Sequence, residues 1–335
     1  MWAIDLGENR RVVCPFFLDN NPEFEEKIFH GVATFHHYKC SNQKEVAEVV
    51  KDADGVITGP FEVREKAIAG MTKCRIIQVL GVGFDRVDLK TAGEKGIYVC
   101  NVPDYCVGEV ADHAIGLLLV ANKKMLGLAD AAKKGMWFTK LPDDISTPVL
   151  RLEGKTLGIV GLGRIGTAAA LRAKAFGMRV LFYDPYLKSG IEKSLNLDRS
   201  ETLESLLENS DFVSIHTPLT DETHHMIRED QLKKMKRNAW IINTARGAIV
   251  DKKALFEALK EGLIAGAALD VIEDEPPSQE EPLLSLSNMI ITPHRGYYSE
   301  EANEDCRRKA AVNVLKVLQG KDPLHIVNGQ FLKKH

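Results

Sequence analysis

The sequence predicts an α/β chain built from two parallel-sheet domains, one inserted into the other. Three observations lead there. With 335 residues the chain exceeds what one compact core usually holds. Short β-branched runs alternate with helical patterns almost from end to end, as they do when parallel strands are joined by crossover helices. The last helical pattern, over 299–318, belongs to neither of two strand series, so the chain is expected to leave the first domain, build the second and return.

The first series places strands at 11–17, 32–38, 55–59, 75–80 and 97–102, with helices such as 22–29 and 43–53 between them. A long apolar-rich helix is predicted over 108–132, then a loop over 133–152 that carries Pro142, Pro148 and several charges. The second series places six strands at 156–160, 179–183, 212–216, 239–243, 264–269 and 289–292. The expected domains are 1–107 with 299–335, and 108–298.

Composition is ordinary for a globular chain, 44% hydrophobic and 27% charged. A formal net charge of −3 gives no reason to expect nucleic acid or an anionic membrane as a partner. No apolar run reaches bilayer-spanning length, and residues 1–11 lack the basic-then-apolar layout of an export signal. Cys14, Cys40, Cys74, Cys100, Cys106 and Cys306 are scattered without a C-x-x-C pair. They read as free thiols of a cytoplasmic protein, not as a disulfide frame or a zinc site.

The strongest local motif is Gly161-Leu162-Gly163-Arg164-Ile165-Gly166, which follows the strand at 156–160 and opens a helical pattern over 164–176. That context is the one a dinucleotide fingerprint requires. The first glycine permits the tight turn, the second lets the backbone approach a pyrophosphate, and the third lets the helix pack on the strand. Unpaired N–H groups and the positive helix end then bind the anion. The next strand ends at Asp184, 18 residues beyond Gly166, where a carboxylate accepts ribose hydroxyls and repels a 2′-phosphate. The cofactor expected is therefore NAD, in a Rossmann-like domain.

Three polar clusters follow the ends of later strands, where ligands bind in open α/β sheets. They are Asn243-Thr244-Ala245-Arg246-Gly247, Asp270 with Glu273-Asp274-Glu275-Pro276, and Thr292-Pro293-His294. Together with 154–166, Gly81-Val82-Gly83-Phe84-Asp85, Asn101-Val102-Pro103 and Val110-Ala111-Asp112-His113, they make the sequence similar to the D-2-hydroxyacid dehydrogenase family over nearly its whole length. Residues 171–176, 180–186 and Tyr298-Ser299-Glu300 resemble its C-terminal-binding-protein (CtBP) branch. That branch would place an arginine near Val79 and a tryptophan where Tyr297 stands.

The resemblance implies a Rossmann-like NAD domain inserted into a discontinuous, flavodoxin-like substrate domain, and a homodimer formed through the 108–132 helix. It implies hydride transfer between C2 of a small 2-hydroxy or 2-keto acid and nicotinamide. Such chemistry needs a group that takes the hydroxyl proton one way and returns it the other, which suits a histidine, here His294. A carboxylate on the far ring nitrogen would orient the imidazole. Glu275, directly before Pro276, fits the family pattern, with Glu273 and Asp274 as rivals. The planar fork of Arg246 suits a substrate carboxylate and its C2 oxygen. By resemblance Asp270 would bond the nicotinamide carboxamide, and Thr217, Thr223, Thr244 and Ala245 would line the cofactor cleft.

The glycines around Val82, up to Gly83, expose N–H groups suited to a substrate carboxylate. Arg295 stands where the family has a small or apolar residue; it points either to solvent or toward a second anionic group of the substrate. His36-His37 and His224-His225 are adjacent pairs that share no face of a regular element, and no nearby carboxylate spacing completes a site, so no metal is expected. Two other functions compete with a metabolic dehydrogenase. One is a dinucleotide-sensing corepressor of the CtBP type, disfavoured by the absence of a long tail after 331–335. The other is 3-phosphoglycerate oxidation, disfavoured by the absence of a further regulatory domain. Formate oxidation is disfavoured because that relative carries an amide at the position of Glu275.

Overall fold

A computed structural model of the chain describes residues 10–16, 22–59, 61–137 and 149–332. Most of the predicted 133–152 loop, the start of the segment read for an export signal, and the last three residues lie outside the described residues. The chain forms two compact units, Met1–Tyr105 with Ser299–His335, and Cys106–Tyr298.

The first unit contains β1 (Arg10–Cys14), α1 (Glu23–Phe29), β2 (Ala33–His37), α2 (Gln43–Val50), β3 (Gly55–Thr58), α3 (Glu65–Gly70), β4 (Ile76–Val79), α4 (Leu89–Glu94) and β5 (Tyr98–Cys100). Its strands are all parallel in the order β2-β1-β3-β4-β5, the flavodoxin-like arrangement. β3 and β4 are buried along their whole length, so they read as continuous apolar runs and not as alternating ones.

The C-terminal helix (Glu300–Leu318) returns to this unit. Ala311, Val314, Val317 and Leu318 share a core with Val12, Ile57 and Ile76. Buried asparagines complete the closure. Asn328 mimics a strand neighbour of β5, accepting from Val99 N–H at 2.9 Å and donating to the Ile97 carbonyl at 2.9 Å. Asn313 pairs with Gln78 and with both backbone groups of Leu324. Glu25 of α1, 1% exposed, receives a two-pronged pair from Arg307 at 2.7 and 2.6 Å.

The second unit contains α5 (Val107–Asn122), α6 (Met125–Lys133), β6 (Thr156–Val160), α7 (Arg164–Ala175), β7 (Arg179–Tyr183), α8 (Ile191–Leu195), β8 (Asp198–Arg199), α9 (Leu203–Asn209), β9 (Phe212–Ile215), α10 (Glu229–Lys234), β10 (Trp240–Asn243), α11 (Lys252–Lys260), β11 (Gly266–Leu269) and β12 (Met289–Ile291). The sheet is parallel throughout, in the order β12-β11-β10-β9-β6-β7-β8. Strand order reverses between β6 and β9, the topological switch point at which doubly wound sheets bind ligands. One core fills each face. Leu157, Ile159 and Phe182 pack with Ala169 and Ala173 of α7 on one side, and Val213, Ile215 and Ile241 pack with Leu206 and Leu255 on the other.

Two expectations need correction. The sheet has seven strands, not six, because β8 is a polar pair, Asp198-Arg199, that no apolar run announces. The helix predicted over 108–132 is two helices, α5 and α6, broken at Lys124, whose φ is +56°. Asn122, the last residue of α5, holds both backbone groups of Leu150 through its side chain and so ties this end of the helix to a distant segment. The apolar periodicity simply runs through this turn.

The Glu25–Arg307 pair generates a test of the discontinuous unit. Arg307→Leu strands a buried carboxylate and is expected to lower unfolding free energy by about 3 to 5 kcal/mol in urea melts. Adding Glu25→Met should recover most of that loss, since an apolar pair replaces both charges.

Candidate functional site

The glycine motif sits at the end of β6, facing the switch point. Gly161 has φ +89°, and a Cβ there would lie 2.8 Å from Thr217 Cγ2 and 3.0 Å from the His216 carbonyl. Gly166 approaches so closely that its Cβ would meet the Gly161 oxygen at 2.1 Å. A Cβ on Gly163 would meet nothing within 4 Å, so the backbone at the loop tip is open to a ligand. Arg164 and Ile165 open α7 directly behind it. The three glycines thus have the separate tasks of turn, open approach and close packing.

Asp184 braces that turn. One oxygen accepts the Leu162 N–H at 3.0 Å and the other accepts Tyr186 N–H at 3.0 Å. Two hydroxyls further along the strand ends, Thr217 Oγ1 and Thr244 Oγ1, are buried without a hydrogen-bond partner in the structure. Buried orphan hydroxyls are uncommon in native proteins and suit a polar ligand that completes them. Ala245, next to Thr244, donates its N–H to Asn243 Oδ1 at 3.0 Å. Thr223 is different, because its hydroxyl closes its own turn by donating to the Pro218 carbonyl at 2.6 Å. Burial pushes the His216 pKa down to about 4, so a neutral ring lies beside Thr217.

The ends of β10, β11 and β12 bring the remaining candidates together. Arg246 follows β10 in a half-buried loop whose shape is fixed by Asn243, which donates from Nδ2 to the Arg246 carbonyl at 2.8 Å. Glu275 Oε2 lies 2.7 Å from His294 Nδ1, while Glu275 Oε1 accepts the Ile272 N–H at 3.1 Å. The rival carboxylates are engaged elsewhere, Glu273 with His225 and Asp274 with Lys252. Among the described residues, His294 Nε2 has no hydrogen-bond partner.

His294 has φ +53°, a left-handed conformation that costs a side-chain-bearing residue about 1–2 kcal/mol. Asp270, 3% exposed, holds it there. Its backbone oxygen accepts the His294 N–H at 2.8 Å. Its carboxylate accepts from Thr292 Oγ1, from Arg295 N–H at 3.0 Å and from Gly296 N–H at 2.8 Å. His113, on α5, adds a contact at 3.4 Å to Asp270 and a 2.8 Å bond to Thr292. Burial alone would raise the Asp270 pKa, but the bonds from His113, Thr292, Gly296 and Arg295 outweigh it and hold the carboxyl below its ordinary range. The sequence offers His113 as a packing or hydrogen-bonding residue and Thr292 as part of a strand-end cluster, but does not link them. Only their proximity across α5 and β12 gives them the role.

The Arg295 guanidinium lies 3.8 Å from the centre of the Tyr298 ring, on the wall of a concavity of about 670 Å³ lined by Gly116, Leu117, Val120, Leu126 and Ile290. Tyr297 stands edge-on to the His294 ring, with centroids 6.4 Å apart. The expectation that His224 and His225 share no face is incorrect. His225 has φ +49°, which stacks the two rings with centroids 4.0 Å apart beside Glu273. The alternation of faces holds in regular helices and strands, and this turn is neither.

In the first unit, the loop after β4 presents Gly81, Val82 and Gly83. The Gly81 carbonyl accepts the Val102 N–H at 3.0 Å and the Val82 carbonyl accepts from Asn101 Nδ2 at 2.7 Å. Both carbonyls are therefore turned inward and pinned.

The Asp270 network predicts a pH signature. Its folded pKa is lowered, so its contribution to stability is full above the unfolded carboxyl value of about 4 and is lost as pH falls through the folded one. Asp270→Asn should cost about 3 kcal/mol at pH 7 in denaturant melts, and the deficit should stay level down to about pH 4 and shrink below it. A deficit independent of pH would deny the carboxylate this role.

The D-isomer specific 2-hydroxyacid dehydrogenase NAD-binding domain matches residues 115–296. A glyoxylate reductase of Korarchaeum cryptofilum is 42% identical over 299 residues, 87% of this chain and 88% of that protein. A D-3-phosphoglycerate dehydrogenase of Methanocaldococcus jannaschii is also 42% identical, over 303 residues, which are 90% of this chain but 57% of that longer protein. The crystal structure of the Aquifex aeolicus D-lactate dehydrogenase, complexed with NAD and lactic acid, superposes with a TM-score of 0.85 at 30% identity, covering 95% of this chain and 99% of that one. The chain therefore belongs to the D-isomer-specific 2-hydroxyacid dehydrogenases, oxidoreductases with an NAD-binding domain.

Proposed function

We propose that this enzyme interconverts a small 2-keto acid and its 2-hydroxy acid, with His294 moving the proton. The observation that carries this is the 2.7 Å contact of Glu275 with His294 Nδ1 at the carboxyl ends of the strands, which leaves Nε2 to face a substrate. In the reductive direction the substrate gains a hydride at C2 and a proton at its oxygen. Bound nicotinamide supplies the hydride. His294 supplies the proton from Nε2, and Glu275 holds the ring and stabilises its charged form. The Arg246 fork pairs with the substrate carboxylate and polarises the C2 oxygen.

Gly161, Gly163, Arg164, Ile165 and Gly166 are proposed to receive the pyrophosphate, and Thr217, Thr244 and Ala245 to line the nicotinamide side. Asp184 would accept the adenosine ribose hydroxyls and so favour NADH over NADPH. Asp270 is retained as a carboxamide partner only as a secondary role, because the 292–296 loop already occupies its carboxylate. The N–H groups of Val82 and Gly83, whose loop carbonyls are pinned inward, are proposed to be anion-binding groups of the first unit, suited to a carboxylate.

We also infer a homodimer formed through α5 and α6, where Met125 and Leu126 are 50% and 60% exposed beside the apolar concavity. Sedimentation showing a monomer at micromolar concentration would remove that part. A cytoplasmic setting belongs to the same proposal, and fractionation of the source cells checks it.

The decisive experiment for the reaction is NADH oxidation against glyoxylate, hydroxypyruvate, pyruvate and phosphohydroxypyruvate, repeated with NADPH. Turnover is expected with the small keto acids, with NADH preferred. His294→Asn should lower kcat/KM by about 10³-fold. Full activity in that variant, or none of the four acids reduced despite tight NADH binding, would overturn the proposal.

A further inference from the structure

We propose that His224, His225 and Glu273 form a binding site for a divalent transition-metal ion of the zinc class. One ligand atom from each lies within 4.8 Å of the other two. Imidazole nitrogens and a carboxylate are a zinc-type donor set, and metal–ligand bonds of about 2.1 Å put tetrahedral ligand atoms roughly 3.4 Å apart. The pair whose separation is fixed, His225 Nε2 and Glu273 Oε1, lies inside that value, and every separation is within 4.8 Å. His225 Nε2 and Glu273 Oε1, 2.8 Å apart, would open by about half an ångström, and the exposed His224 ring, stacked on His225, offers the third ligand.

The frame around these atoms is already rigid. The His225 N–H donates to the Ala248 carbonyl at 2.8 Å, Ile227 N–H to Ile249 at 3.0 Å, and Asp251 N–H to Ile227 at 2.9 Å. The turn carrying both histidines is therefore zipped to residues 248–251. Glu273 arrives on a strap that abuts the same segment, since a Cβ on Gly247 would lie 1.9 Å from the Ile272 carbonyl carbon and 2.3 Å from the Glu273 nitrogen.

An outer carboxylate stands close by, just beyond hydrogen-bonding distance of the far ring nitrogen. Asp251 Oδ2 lies 3.7 Å from His225 Nδ1, while its other oxygen caps α11 by accepting from Ala254 N–H. Metal-bound histidines are commonly oriented by such a partner on the far ring nitrogen, which presents Nε2 to the ion. A dication facing two carboxylates and two neutral imidazoles would leave the cluster without net charge. The left-handed φ of His225 is a further mark, because such strain persists where surrounding structure enforces a particular side-chain placement. An ion here would staple the 218–227 turn to the strap that carries Glu275.

The test is independent of turnover. Untagged protein is titrated with Co²⁺ alone, followed by its visible absorption, then with Zn²⁺ alone, followed by thermal unfolding. One Co²⁺ per chain, displaced by Zn²⁺, and a Zn²⁺-dependent rise in Tm are expected. His224→Ala and Glu273→Gln should each weaken binding more than about tenfold and abolish the Tm rise, and Asp251→Asn should weaken it about tenfold. Cys74→Ser should bind as the wild type does. No stoichiometric Co²⁺ binding, or binding that survives both His224→Ala and Glu273→Gln, or binding lost in Cys74→Ser, would overturn the site.

Discussion

His294 occupies a backbone conformation that residues with side chains avoid, and the buried Asp270 keeps it there. The loop over 292–296 has little apolar anchorage of its own. Its shape comes from one carboxylate that collects Thr292, Arg295 and Gly296, with His113 behind it. Charge-assisted bonds of this kind are worth roughly 1.5–3 kcal/mol each, more than the strain of one left-handed residue. Gly296 is part of the same constraint, since a Cβ there would lie 2.9 Å from Asp270 Oδ2. The imidazole is thereby aimed at Glu275 by the backbone rather than by its rotamer alone.

The cofactor half rests on a different constraint, close approach at the switch point. Gly161 and Gly166 are pressed against Thr217 and against each other, leaving Gly163 as the open member of the motif. Asp184 ties the glycine turn to the end of β7 through Leu162. The Asp270 network and the glycine turn thus lie on one sheet and have different local supports.

The strand ends were legible because parallel strands buried on both faces leave short apolar runs, and each run here is followed by the polar residues it displays. β6 and β7 fall on the bounds that the sequence suggests. Glu275 could be chosen by its place before Pro276, and the geometry separates it from Glu273 and Asp274 by their other partners, His225 and Lys252. Features set by contacts between distant residues were not legible. The helix breaks at the left-handed Lys124, beside the long-range Asn122–Leu150 bonds, although the apolar pattern continues, and β8 pairs through two polar residues. The stacked His224 and His225 depend on a single left-handed φ that no local sequence rule demands of a histidine. The residues 171–176 that resemble the CtBP branch include Leu171 and Phe176, which are about half exposed.

The central claim is that Glu275 acts on substrate chemistry through His294. It is tested most directly by single-turnover NADH oxidation in the wild type, His294→Gln and Glu275→Gln, with NADH affinity measured by fluorescence on the same samples. The account predicts NADH dissociation constants within about threefold of one another. It also predicts a hydride-transfer rate lowered about 10³-fold in the histidine variant and about 10- to 100-fold in the glutamate variant. A Glu275→Gln enzyme that transfers hydride at the wild-type rate would contradict it.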